Sequence, residues 1–357
     1  MLLGAVPHGP TGLGTSGLRI PGARPSTSGA HSNRRDAPPS APKLYCPEPV
    51  RDDPALGELV NERLVLWARQ VGIYADRIDQ VRSANFGRLV MLAHPDTDDA
   101  DRLLATAKCA LAEWATDDHY CDDESAGADS RLLGARLGVA CSAIETAHLP
   151  VGYVLDYERA MGEDPVLVAL RSAFDHLSRY AEPGQVARLR HELGVLFAGY
   201  GQEGSWRTSE HTPAVWEYLA HRQINSFLPC LALIDVTSAY QLPATEYSAP
   251  PVRRAVKLAA LASTLVNDLF STAKNSRGEG VDYSLPTVIA AEENCSLQEA
   301  IYRAAQIHDE MMRTVEAECA ALAALGSPQL RRYVKGLWNW MGGSKRWHAT
   351  SPRYHGA

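Results

Sequence analysis

The chain has 357 residues, is 45% hydrophobic and 22% charged, and carries a formal net charge of −7. That is enough apolar material for one large core or two modest ones, and the acidic balance excludes the basic footprint of a nucleic-acid-binding protein. No apolar run reaches the roughly 18 residues of a membrane span. The opening MLLGAVPHGP lacks the apolar stretch of a secretory signal. Seven cysteines are scattered without C-x-x-C spacing, which argues against a zinc site or disulfide framework and for a reducing, cytoplasmic compartment.

In chain order, residues 1–43 are rich in Gly, Pro, Ser and Arg and poor in large apolar side chains. They cannot bury enough surface to offset ordering, and a disordered tail is expected. From residue 44 to 357 the reading is helical. Leu56, Val60, Leu64, Trp67 and Val71 recur at three- and four-residue steps, one face of an amphipathic helix. Similar periods run through 100–119, 131–147, 165–180, 184–199, 213–239, 251–274, 286–291, 296–325 and 328–341. LPVGY at 149–153, AEPGQ at 181–185, QLPATEYSAPP at 241–251 and SRGEG at 276–280 punctuate them. With no convincing strand pattern, no repeat and no linker, the expectation is one all-α domain.

Two polar clusters interrupt this pattern. ATDDHYCDDES at 115–125 crowds carboxylates at the end of an apolar helix. Like charges one turn apart repel, so something must offset them. Acidic side chains favour helix N-termini, but these follow about fifteen helical residues. Asp118 and Asp122 share a face, with Asp117 beside it. Hard oxygens so placed suit Mg²⁺, which keeps several waters and takes one or two carboxylates plus substrate phosphates. A solvated acidic helix end is the plainer alternative. His119 reads as a residue at the surface or behind the ligands rather than a ligand, Cys121 as a small filler and Tyr120 as packing. The second cluster lies in LASTLVNDLFSTAKN. Asn267, Ser271 and Asn275 fall at i, i+4 and i+8, so one helical face presents three oxygen donors, flanked by Asp268 and Lys274. A polar stripe among Leu261, Leu265 and Leu269 implies a cavity or an ion. Together the clusters read as two lips of one metal-binding cavity.

These residues resemble the class I terpene cyclases of bacteria. DDHYCDD looks like that family's Asp-rich motif, and NDLFSTAKN like its N-D-x-x-S-x-x-x-E motif. The resemblance implies a helical bundle around a central cavity, with three Mg²⁺ ions held by Asp117, Asp118, Asp122, Asn267, Ser271 and Asn275. WEYLAHRQINSF places Arg222 45 residues before Asn267, where the family has its diphosphate-sensing arginine. Asn225 and Ser226 fall at the linker and effector positions. In WNWMGGSKRWHATSPRY, Arg353 and Tyr354 match the pair that caps the diphosphate. Arg222, Lys274, Arg353 and Tyr354 are thus the expected diphosphate contacts, and Arg222, Asn225, Ser226 and Tyr354 the expected catalytic set. The likeness spans about residues 50 to 355. The family motif ends in Glu where this chain has Asn275, an amide without the charge, and Glu279 four residues on is the only nearby substitute.

Within the family, the D-D-x-Y-C-x-D form of the first motif and the Pro-rich extension narrow the resemblance. It implies Mg²⁺-dependent ionisation and cyclisation of 2-methylgeranyl diphosphate, with water capture to 2-methylisoborneol. Alternatives are 2-methylenebornane by proton loss, another mono- or sesquiterpene from geranyl or farnesyl diphosphate, and an inactive isoprenoid-binding protein. A chain-elongating prenyltransferase would need a second Asp-rich motif where this chain has NDLFS. A carbocation calls for aromatic faces. Phe86, Trp114, Phe197, Trp338, Trp340 and Trp347 are the candidates, with Trp338, before the Arg-Tyr pair, and Trp114, one turn before the Asp-rich motif, as the expected pocket residues. The family is often dimeric, so a homodimer is possible, and neither nucleic acid nor membrane is an expected partner.

Overall fold

A computed structural model describes residues 42–122, 128–275 and 283–355. The tail expected at 1–43 lies outside them up to residue 41. Among the described residues every element is a helix or turn, as the periodicity predicts. The main helices are α1 (Pro54–Val71), α2 (Ile78–Ala84), α3 (Phe86–Ala93), α4 (Ala100–Asp117), α5 (Leu133–Ile144), α6 (Val151–Glu163), α7 (Pro165–Leu177) and α8 (Pro183–Ser209). After them come α9 (Val215–His221) and the short α10 (Leu228–Leu231), α11 (Ile234–Thr237) and α12 (Ala244–Tyr247). The chain ends with α13 (Pro250–Asn275), α14 (Leu285–Glu293), α15 (Leu297–Leu325), α16 (Pro328–Thr350) and α17 (Pro352–His355).

Local chemistry sets the helix starts. Asp53, Asp99, Asp164, Ser284, Ser296 and Ser327 each accept a backbone N–H of the first turn, satisfying donors the helix leaves orphaned. Pro54, Pro165, Pro183 and Pro328 occupy first positions, where the missing N–H costs nothing. One apolar cluster fills the bundle from α1 to α16, and a second joins α9, α13, α14 and α15 through Tyr218, Leu265, Ile289 and Ile301. No described helix is long and apolar enough to cross a membrane.

Several expectations are corrected. Residues 213–239 are not one helix: the chain breaks at 222–227 between α9 and α10. Pro229 explains it, since inside a helix its ring would clash with the carbonyl of residue 225. LPVGY is not only punctuation, because α6 starts at Val151 directly after Pro150. α8 runs on to Ser209 and α16 to Thr350. α2 and α3 escape the periodicity because a single left-handed residue, Asn85 at φ 57°, ends one and begins the other.

α3 carries a wall of the site and is fixed at both ends. A Cβ on Gly87 would lie 2.3 Å from the backbone N of Asn61, so only glycine lets α3 cross α1 this closely. Arg51 donates to the carbonyls of Met91 (2.7 Å) and His94 (2.9 Å) at one end. At the other, Trp347 Nε1 donates to the carbonyl of Asn85 (3.0 Å), which opens α3, and to that of Ala84 at the end of α2 (2.8 Å), which also accepts from Ser351 Oγ (3.1 Å).

Candidate active site

α4 is buried from Leu103 through Asp117 except at Lys108, because α1, α3, α7, α10 and α11 surround it. Its end therefore delivers Asp117 and Asp118, each 1% exposed, into the interior. At this point the helix widens into a π-turn, Asp118–Asp122, a distortion common at functional sites. The side chain of Asp122 lies outside the described residues. Tyr74 donates to Asp118 Oδ2 (2.7 Å). Burial raises the Asp118 pKa, opposed by the Arg353 guanidinium and the Tyr74 hydrogen bond. Tyr120 packs as expected and also donates to Asp164 Oδ2 (2.7 Å).

α13 supplies the facing lip. Asn267 is fully buried and Ser271 is 3% exposed. Asn267 Nδ2 donates to the Tyr354 hydroxyl (2.9 Å) and lies 3.3 Å from His348 Nε2. Tyr354 is hydrogen-bonded to Arg353, whose charge also acts on Asp118. The C-terminal Arg-Tyr pair thus bridges the two clusters, and residues roughly 150 positions apart converge. The side chains of Lys274 and Asn275, and all of Glu279, lie outside the described residues.

Asp268, next to Asn267, points away. It accepts from Arg222 Nη2 (2.5 Å), the Tyr218 hydroxyl (2.9 Å) and the backbone N of Leu285 (3.0 Å). Burial opposes the Arg222 charge and Asp268 more than restores it, so Arg222 stays cationic at zero exposure. Arg222 Nη1 also donates to Asn225 O (3.2 Å), across the break. Asn225 Nδ2 donates to Glu203 Oε2 (2.9 Å). Burial works against that carboxylate, but Arg207, His221 and Arg222 hold its pKa at about 2. Arg207 reaches on to Cys121 O (2.6 Å), tying the π-turn to this network. A Cβ on Gly199 would sit 3.0 Å from Asn225 N, so α8 approaches the break closely. Ser226 is buried, its hydroxyl 3.4 Å from Leu228 N.

Aromatic rings line the interior beside these groups. Trp114 meets Phe86 edge-on (5.0 Å between centroids), Phe227 (5.7 Å) and Trp347 (6.4 Å). Phe227 meets Trp340 (5.2 Å), and Trp347 meets Tyr354 (5.6 Å). Trp114 therefore stands within this chain of rings. Trp338 does not: it is half-buried and makes no ring contact among the described residues, because α16 turns Trp340 and Trp347 inward instead. Phe197 stacks with Tyr200 outside this chain of contacts. The sequence reading missed Tyr74, Phe227 and His348. Phe227 had a signal, since it follows the effector position directly.

The donor set fits a hard cation and a phosphate. Asp118 Oδ1, Asn267 Oδ1 and Ser271 Oγ are buried oxygens without a hydrogen-bond partner among the described residues. Arg353 Nε and Nη2 are buried donors in the same condition. Such orphaned atoms are costly unless a ligand takes them up. Among the described residues no three His, Cys, Asp or Glu side chains form a metal cage. A pair of aspartates with amide and hydroxyl oxygens is instead what Mg²⁺ carried by a diphosphate requires.

A helical bundle with two oxygen-rich lips, a buried arginine at a helix break and a C-terminal Arg-Tyr pair defines a terpene cyclase. The family described as terpene synthase family 2, C-terminal metal binding, matches residues 108–314, and the chain belongs to the terpene synthase family. It is similar to 2-methylisoborneol synthase of Saccharopolyspora erythraea, 37% identical with 94% of this chain and 97% of that one covered. The protein of the same name from Streptomyces coelicolor is 36% identical, with 96% of this chain and 79% of that one covered. The crystal structure of the Streptomyces coelicolor enzyme with Mg²⁺ and 2-fluoroneryl diphosphate superposes with a TM-score of 0.83 at 36% identity, covering 87% of this chain and 96% of that chain. Its complex with Mg²⁺ and geranyl-S-thiolodiphosphate gives 0.81 at 35% identity, over 88% and 97%.

Proposed function

We propose that this chain ionises and cyclises 2-methylgeranyl diphosphate and captures water, giving 2-methylisoborneol and diphosphate. The observation that carries the reading is the meeting of Asp118, Asn267 and the Arg353–Tyr354 pair around buried, unsatisfied oxygens and N–H groups. Mg²⁺ bound by Asp117, Asp118, Asp122, Asn267, Ser271 and Asn275 supplies Lewis-acid stabilisation of the departing diphosphate. Arg353 donates from Nε and Nη2 to phosphate oxygens, a planar fork matched to that geometry. Arg222, fixed by Asp268, presents its charge at the break without needing to reorganise. Asn225 and Ser226 link that charge to the allylic carbon. The rings of Phe86, Trp114, Phe227, Trp340 and Trp347 exclude water and face the cation with their negative quadrupole. Tyr354 closes the interior over the leaving group. A cytoplasmic location accords with the lack of a disulfide among the described residues, and a homodimer is expected from the family resemblance.

The test is incubation with Mg²⁺ and, side by side, 2-methylgeranyl, geranyl and farnesyl diphosphate, followed by gas chromatography and mass spectrometry. 2-Methylisoborneol as main product from the methylated substrate is expected. A sesquiterpene as main product would sink the substrate assignment. No volatile product from any of the three would favour an isoprenoid-binding protein, the reading that Asn275 in place of Glu supports.

A further inference from the structure

Hydration demands that one water be kept beside the cation while all others are shut out, and the residues considered so far do not hold it. Glu113 lies one helical turn before Asp117 on α4, away from the diphosphate end. It is 1% exposed, and the thiols of Cys109 and Cys230 lie beside it. Among the described residues its one hydrogen bond comes from a thiol, Cys230 Sγ at 3.6 Å from Oε2. Oε1 has no partner among the described residues. The adjacent Trp114 Nε1 is likewise a buried N–H without an acceptor among them. Both side chains face α10 and the residue before it: Glu113 meets Cys230, and Trp114 meets Phe227. The side chains that carry this orphaned acceptor and this orphaned donor therefore meet one stretch of wall, Phe227 to Cys230, just past the effector Ser226. A buried water needs such polar partners. A carboxyl held by one weak thiol contact stabilises nothing on its own, since burying it unsatisfied costs free energy.

We infer that Glu113 is the positioning residue for the terminating water, Oε1 accepting one of its O–H bonds and Trp114 Nε1 donating to its oxygen. This rests on the proposed hydration of a bornyl-type cation. The water oxygen forms the C–O bond, its other O–H bond breaks, and the proton passes to the diphosphate released at ionisation. Burial pushes the Glu113 carboxyl up to about 8, the Cys230 contact opposing. At neutral pH it is mostly uncharged, able to hold water yet poor as a base or nucleophile toward the cation. The same side chain bears on the choice between alcohol and alkene, because an apolar replacement would leave the cation only proton loss.

The test is the product ratio of Glu113→Leu and Glu113→Gln with 2-methylgeranyl diphosphate and Mg²⁺. In Glu113→Leu the ratio of 2-methylisoborneol to hydrocarbon products falls about tenfold or more, the loss of one positioned hydrogen bond. Glu113→Gln keeps a carbonyl oxygen and stays within about threefold of the parent ratio. A merely structural role would lower total product and leave the ratio alone. An unchanged ratio in an active Glu113→Leu overturns the inference. If Glu113→Leu yields no folded protein, Cys230→Val takes its place: freeing Oε2 from its one competitor keeps the ratio at or above the parent value, and a tenfold fall overturns the inference. Absence of 2-methylisoborneol from the unsubstituted enzyme overturns the reading beneath it, which separates the two failures.

Discussion

Neighbouring residues in this site have opposite duties, and substitution should separate them. Asn267 offers Oδ1 to the ligand side and gives one hydrogen bond to Tyr354. Asn267→Ala should cost only about 1 kcal/mol of stability while taking product formation below detection. Asp268 instead neutralises a buried arginine. Asp268→Ala leaves that charge uncompensated and should cost about 3–5 kcal/mol, read as a fall in the urea midpoint. Protonation follows similar logic. The Glu113 pKa is raised from 4.5 to about 8 by burial, so the folded chain keeps a proton that the unfolded chain releases. That contribution is full below about pH 4.5 and is lost as the pH climbs to about 8. His94 is pushed from 6.5 down to about 3 by burial, so its contribution is present above pH 6.5 and lost as the pH falls toward 3. Between pH 6.5 and 8 only Glu113 of the two changes charge. Denaturant midpoints across that window should fall with pH, and Glu113→Gln should flatten the fall.

Among the elements, what the sequence disclosed was periodicity, and what it hid was interruption. α1, α4, α13 and α15 were legible because their apolar residues recur at helical spacing and Asp or Ser caps stand before most of them. The π-turn at Asp118 was hidden because one extra residue in a turn leaves no compositional mark. The break at 222–227 was hidden because no Gly or Pro falls inside it; its cause, Pro229, lies downstream. The site itself was more legible than the pocket: oxygen donors appear as polar stripes on apolar helices, whereas a buried Trp340 and a half-buried Trp338 differ only in helix phase. The break also depends on a partner helix. Gly199→Val would force α8 against Asn225, whose backbone N lies 3.0 Å from even a Cβ. Overpacking of this kind costs roughly 1–3 kcal/mol, and displacement of Asn225 and Arg222 should lower kcat more than thermal stability, measurable by steady-state kinetics beside a melting curve.

Over the whole molecule, chemistry depends on the last few residues. Truncation after Thr350 removes the Tyr354 hydroxyl from Asn267 and opens the interior. Diphosphate release should then yield mainly acyclic alcohols from unselective hydrolysis, detectable as a shift in the chromatogram at constant helical content. The same geometry has a bearing on biosynthesis. α3 is pinned by Arg51 from one end of the described chain and by Trp347 at Asn85 from the other, contacts reaching across as many as 262 positions. Such distant partners make assembly slow. While the protein is still being translated, the wall bearing Phe86 has no second anchor. Nascent chains stalled before Trp347 should therefore be cut by protease near α3, and the reaction chamber should be completed only on release from the ribosome.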